Sequence, residues 1–299
     1  MTRSDLLPAW GQLLRGRRPL LSMGTTKARP LRCPGCYAYE SNHVPPGVGL
    51  QQLADYHGLE LVDRVLDLIG QYPPLHISIM GGEPLVRYRE FDVLLQTLYS
   101  ARIEVQLVTS SVGPIPTYRH KLRGLHIVVS IDSLRSEHDR RRSPAPYARL
   151  LENIASHKIT TNCTIARQLL SRPGYLRGFC EFWSARPETR KIWFSLFTPQ
   201  ETQLRIERLS AEDRARTVLE IAQLRTEYAK VELPQAVLDG FLRPPESPRE
   251  RILAQVTACL SSDLATVVGK LGGLVPVSTI FAFSTSIGSR VGATELLRK

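Results

Sequence analysis

A chain of 299 residues, 42% of them hydrophobic, has material for one large globular domain with a small appendage. Five cysteines at this length fit reduced thiols or metal ligands better than a disulfide framework. Arg15, Arg17 and Arg18 interrupt any apolar segment near the start, which argues against a secretory signal and makes the cytoplasm the expected compartment. The net charge of +11 is spread along the chain, and Arg140, Arg141 and Arg142 form its only tight triplet, with no aromatic platform beside it. That pattern points to a solvated basic face and argues against nucleic acid as a partner.

Residues 4–15 carry Leu6, Trp10, Leu13 and Leu14 at helical spacing and predict a lead-in helix within a 1–18 segment. Residues 20–26 read as the first strand. Leu59, Val62, Val65, Leu66 and Ile69 predict a helix that Gly70 stops before Pro73 and Pro74, and residues 75–79 read as the second strand. A helix through Phe91, Leu94, Leu95 and Leu98 follows, then strands at 103–108 and 125–131. A helix near 147–154, a strand at 159–165, a helix through Leu176, Phe179 and Trp183, and a strand at 191–197 complete the series.

Strands that alternate with helices in this way require a parallel sheet, because each crossover helix returns the chain to the same end. The expected fold class is α/β, with a partial (β/α)6 barrel of parallel strands over residues 19–200. A helical and loop-rich extension occupies 201–299. In it Ser210 and Asp213 predict a capping box for a helix running toward Tyr228, while Pro234, Pro244, Pro245 and Pro248 read as loop. Residues 271–288 are free of charge, but Gly272, Gly273 and Pro276 lower their hydrophobicity, so a buried or disordered tail is expected there and no membrane partner.

Functional groups of parallel barrels gather at the C-terminal ends of the strands. Four consecutive strand ends here carry polar or turn chemistry. Cys33 and Cys36, a CxxC pair, follow the first, and Gly81, Gly82, Glu83 and Pro84 follow the second. Thr109, Ser110 and Ser111 follow the third, and Ser130, Asp132 and Ser133 lie at the fourth. Two thiols separated by two residues can grip one soft metal centre, although zinc sites and thioredoxin-like pairs share the spacing. Gly81 and Gly82 lack side chains and can expose backbone carbonyls to a ligand ammonium, with Glu83 as its negative partner. Ser130 and Asp132 share a strand face by period two. Ser133 and Asp139 read as capping groups of a turn, and His138 as a structural hydrogen-bonding residue.

The CPGCYAY stretch from Cys33 to Tyr39, together with the Gly-Gly-Glu-Pro turn, resembles the radical S-adenosylmethionine (SAM) superfamily. The resemblance implies a [4Fe-4S] cluster ligated by Cys33 and Cys36, and SAM held by Gly81, Gly82 and Glu83. Ser130 and Asp132 would reach the SAM ribose or carboxylate, and Tyr37 would line the adenine side. It further implies a 5′-deoxyadenosyl radical acting on an unknown small-molecule or peptide substrate, with an external electron donor.

The family's loop has three cysteines, and the first falls at position 29. This chain has Arg29 there. Guanidinium stays protonated and offers iron no lone pair, so the loop keeps two thiolates. Three explanations stand open: the chemistry has been lost, another group completes the site, or the residue is a single-base change from a cysteine codon. Cys163 and Cys180 read as core, and the extension offers Cys259 alone. The rival readings are a SAM-binding or scaffold barrel without an intact cluster and, last, a zinc or redox CxxC protein.

Overall fold

The computed structural model describes residues 11–31, 33, 54–115, 122, 124–142, 146–197 and 207–242. Cys36, Tyr37, Cys259 and the stretch 271–288 lie outside them. The strands are β1 (Arg18–Gly24), β2 (Pro74–Met80), β3 (Glu104–Thr109), β4 (Leu125–Ser130), β5 (Ile159–Ile165) and β6 (Thr189–Leu196). Between and after them run α1 (Gly58–Gln71), α2 (Tyr88–Ser100), α3 (Arg135–Arg141), α4 (Tyr147–Ile154), α5 (Arg167–Leu170), α6 (Tyr175–Ala185), α7 (Ala211–Glu227) and α8 (Gln235–Leu242). A 3-10 turn, Pro84–Arg87, leads into α2.

All five strand pairings are parallel, and the order in the sheet is the order in the chain, β1-β2-β3-β4-β5-β6. Each crossover therefore moves the chain one strand along in the same direction. Crossovers of one hand place their helices on one face and leave the other concave, the plan of a partial (β/α)6 barrel.

Period-two alternation decides which side chains go where. On β5, Ile159, Thr161, Cys163 and Ile165 are buried under the helices, whereas Asn162 and Thr164 are half-exposed on the concave side. Ile77, Ile79, Leu107, Val129, Cys163, Ile192 and Phe194 form the sheet's contribution to the core. Phe91, Leu94, Leu95 and Leu98 of α2, with Phe179 and Trp183 of α6, cover them and are almost fully buried. Each such large side chain contributes about 1.5–3 kcal/mol of hydrophobic stabilisation. Cys180 is also core, as its aromatic setting implies.

The concave face is polar. Ser22, Ser78, Gln106 and His126 stand in register across β1 to β4, and the Gln106 amide donates to Ser78 Oγ at 3.2 Å.

The segment after β6 covers that strand's outer edge: Ile192 N–H donates to Lys230 at 2.7 Å and Glu232 N–H donates to Ile192 at 3.1 Å. The expected capping box is present at the start of α7, where Asp213 N–H donates to Ser210 Oγ at 3.0 Å and Ser210 N–H to Asp213 Oδ2 at 3.2 Å.

Three helices depart from the sequence reading, the shortest being the single turn α5. The α3 stretch, RSEHDRR, has almost no apolar periodicity to mark it. Residues 235–242, placed in the proline-rich loop, form α8, because a proline just ahead of a helix start is no obstacle to it. Residues 11–14 are helical, but Leu14 is 77% exposed and does not pack as the lead-in stripe implied. No helix of the described residues is long and apolar enough to cross a membrane.

Candidate functional site

Two carboxylates at the strand ends organise the rim. Glu83, just past β2, is 3% exposed. Its Oε1 accepts from Leu85 N–H at 3.0 Å and from the Thr109 hydroxyl at 2.6 Å. Its Oε2 accepts from Ser110 N–H at 2.7 Å and from the Ser110 hydroxyl. Four donors saturate this carboxylate, so the side chain expected to face a ligand ammonium ties β2 to β3 instead. Thr109 and Ser110 are drawn into the same knot.

The glycines next to it meet backbone. Gly81 and Gly82 have φ of +85° and +38°. A Cβ on Gly82 would lie 2.4 Å from the Ala28 carbonyl oxygen, and one on Gly81 would lie 2.8 Å from Gly24 Cα. Glu83 N–H donates to Ala28 O at 2.8 Å. Hence the Gly-Gly-Glu-Pro turn and the loop that leads from β1 toward the cysteines are packed together, with Arg29 as the next residue along. The glycines are needed for that close approach, apart from any ligand.

Asp132, two residues beyond β4, is also 3% exposed and also saturated. Oδ2 accepts from Arg141 Nε at 3.2 Å and Arg142 Nε at 2.9 Å; Oδ1 accepts from Arg142 Nη2 at 3.0 Å and, at 3.4 Å, from Thr164 N–H of β5. Burial by itself would raise this carboxyl, but the charges of Arg142 and Arg141 outweigh it and hold the pKa at about 2. Arg141 reaches on to Glu207 at 2.5 Å and lies over the Phe197 ring. Two arginines of the triplet read as a solvated basic face are therefore engaged in a partly buried ionic latch, and Arg140 alone is exposed.

Ser130, at the end of β4, remains half-exposed on the concave side. Ser133 is buried and its hydroxyl has no partner among the described residues, whereas Asp139 accepts from Tyr147 N–H at 2.5 Å and steadies the start of α4. His138 differs from its expected structural role in hydrogen bonding. It is 1% exposed, neither ring nitrogen has a partner among the described residues, and the ring meets Tyr147 edge-on. Burial first, then the Arg142 charge, lower its pKa to about 4, so the imidazole is neutral near pH 7.

Cys33 is half-buried. Cys163 is fully buried and donates its thiol to the Asp132 carbonyl at 3.2 Å; burial pushes its pKa well up, the reverse of what a ligand thiolate requires. Among the described residues, no group of three or more His, Cys, Asp or Glu side chains could hold a metal ion. Arg29 follows the Ala28 carbonyl that is bonded to the glycine turn, and its guanidinium offers iron no lone pair; among the described residues no other thiol stands in its place, so the residues present do not fit a cluster held by three loop thiolates.

Asn162 of β5 and Trp193 of β6, on the concave side, were not singled out in the sequence. The available signal was period two, since Asn162 alternates with the buried Thr161 and Cys163, and Trp193 with the buried Ile192 and Phe194.

No protein-family model matches the chain. A stretch of 103 residues, 33% of this chain, is 31% identical to a 7-carboxy-7-deazaguanine synthase of Hyperthermus butylicus and spans 38% of that enzyme. Among solved structures, the chain is similar to TYW1 with a lysine-pyruvate adduct bound, at 12% identity and TM-score 0.47 over 70% of this chain and 73% of that one. Methylornithine synthase (PylB) gives 11% and 0.48 over 83% and 81%. QueE from Escherichia coli gives 15% and 0.40 over 69% and 82%. Likeness at these scores says nothing about ligands, so the chemistry rests on the chain's own side chains.

Proposed function

We propose that this chain is a radical SAM-type barrel that binds SAM, or a close analogue, at its strand-end rim without assembling a three-thiolate [4Fe-4S] cluster. The observation that carries this reading is the position of Arg29. It follows Ala28, whose carbonyl is bonded to the Gly-Gly-Glu-Pro turn, and so brings a guanidinium where the family's first ligand belongs. The partial barrel, the turn and the matched stretch of a 7-carboxy-7-deazaguanine synthase support the family.

In this reading the glycine turn offers backbone carbonyls to the ligand's amino group. Glu83 is a positioning residue that fixes the turn against β3, and Ser130 supplies a hydroxyl to the ligand. Asp132 holds the β4 and β5 ends in place through its arginines. A second reading, an active radical SAM enzyme fed by an electron donor, is favoured by the intact Cys33 and Cys36 pair. When bound, a cluster would supply one-electron reduction of SAM.

Anaerobic reconstitution with iron and sulfide, followed by iron counting and electron paramagnetic resonance, separates the two. The expected result is substoichiometric iron for the native chain and recovery toward about four irons in Arg29→Cys. A native chain that holds iron as well as the variant and forms 5′-deoxyadenosine would establish the second reading. Calorimetry with S-adenosylhomocysteine tests the rim by itself, and no binding would remove the SAM reading.

A further inference from the structure

Gly178 sits inside α6, where glycine is the poorest helix former after proline. Packing within the chain does not account for it. Its φ is not positive, and no atom of the described residues lies within 4 Å of where its Cβ would stand. The glycine instead opens a groove on the outer, helical side of the barrel, which Glu181, Phe182, Ala185 and Arg186 also line.

Phe182 is 36% exposed there, although α6 buries its other aromatic side chains. Glu181 is exposed and, among the described residues, has no hydrogen bond or ion pair. Arg186 reaches Glu188 only at 3.4 and 3.5 Å, and its guanidinium lies over the Phe182 and Trp183 rings. Most of its five donors are therefore open to a second carboxylate.

The spacing of these residues is that of a helix seam. Gly178, Phe182 and Ala185 are four and three residues apart, the a and d rhythm of paired helices. At about 100° per residue, Glu181 falls on one flank of that line and Arg186 on the other. Where two helices lie in parallel about a two-fold axis, opposite flanks face each other, offset along the chain. Glu181 and Arg186 have opposite charges and the five-residue separation that this offset requires. An antiparallel pair would set like flank against like flank and leave each charge without its complement.

We infer that a second copy of this chain docks on this face, with the two α6 helices packed in parallel about a two-fold axis. Each Phe182 enters the hole framed by the partner's Gly178, the partner's Glu181, the partner's Phe182 and the partner's Ala185, and the corresponding four residues of this chain line the groove. Each Glu181 pairs with the partner's Arg186. The stripe matches itself in shape and charge, as an isologous contact demands, and a different partner would require no such match. Because α6 leads away from the rim at the end of β5, the axis leaves both rims facing the same way. One helix face is a small interface, so a reversible dimer of micromolar affinity is expected.

Sedimentation of the full chain over a range of concentrations tests this, with circular dichroism to show that each variant is folded. The native chain should pass reversibly from monomer to dimer. Gly178→Gln places a good helix former in the groove and should raise the melting temperature while weakening the dimer about tenfold or more. A merely damaged fold would lower both. Glu181→Arg and Arg186→Glu should each be monomeric, and an equimolar mixture should dimerise, because both contacts of the mixed pair again join opposite charges. Should Arg186→Glu not fold, the opposed effects of Gly178→Gln decide alone.

A native chain that stays monomeric would overturn the inference, whether the groove is covered by another stretch of the same chain, by a different protein or by nothing. So would a dimer that survives Gly178→Gln and both charge reversals, since it would use another surface. Folded charge variants that remain monomeric when mixed would overturn the pairing. None of these outcomes bears on ligand binding at the rim.

Discussion

The two ends of the rim solve the same problem with different chemistry. At β2 and β3, the buried Glu83 is neutralised by hydroxyl and backbone N–H donors. At β4 and β5, the buried Asp132 is neutralised by two guanidinium groups, one of which is tied in turn to Glu207. Neutral donors can partly reorganise around a replacement side chain, whereas cations left behind by a lost carboxylate cannot shed their charge. The β4 end should therefore respond more strongly to truncation and to acid than the β2 end.

The largest effect is expected from Asp132→Ala. It leaves Arg141 and Arg142, both with side chains largely shielded, without their shared anion, and should cost about 3–5 kcal/mol in urea unfolding. A loss near that of an exposed ion pair would mean that the latch adds little.

Next is Gly82→Ala, which forces a Cβ against the Ala28 carbonyl at a left-handed φ. About 3 kcal/mol is expected, with increased proteolysis of the loop between β1 and α1. Unchanged stability would show that the turn does not depend on this close approach.

Acid sharpens the contrast. The folded-state pKa of Asp132 is about 2, below the ordinary 3.8, so its stabilising effect is complete above the unfolded value and is lost as pH falls through 2. A shift of this size corresponds to about 2 kcal/mol. The difference in stability between native protein and Asp132→Asn should therefore shrink across that window. A difference that stays constant from pH 5 to 2 would sink the ionic account.

Glu83→Gln should have the smallest effect, about 1–2 kcal/mol: the Thr109 and Ser110 hydroxyls can turn round to accept from the amide, and what is lost is one backbone N–H bond, that of Leu85 or of Ser110. An effect matching that of Asp132→Ala would erase the distinction between the two ends.

Much of the fold was legible because apolar residues recur with period two at 159–165 and with helical spacing through Phe91, Leu94, Leu95 and Leu98. Such patterns follow from which face is buried. The α3 helix was not legible: its residues are polar and charged, and it is held by the capture of Asp132 by Arg141 and by Arg142 just beyond its end, nine and ten residues further along the chain. The candidate site was legible as a set of strand ends and much less so as a set of roles. Glu83 and Asp132 have the identity expected of ligand-binding carboxylates, yet each spends its acceptor capacity inside the protein.

By itself, the sequence determined the order of strands and helices, the gathering of polar groups at one rim, and the shortage of thiols at position 29. Periodicity and side-chain chemistry are properties of the chain. Tertiary structure alone decided that Glu83 meets Thr109 and Ser110, that Asp132 meets Arg141, Arg142 and Thr164, and that Asn162 lies beside Trp193. These pairings join residues from different strands and loops, and only the register of a parallel sheet brings them within hydrogen-bonding or stacking reach.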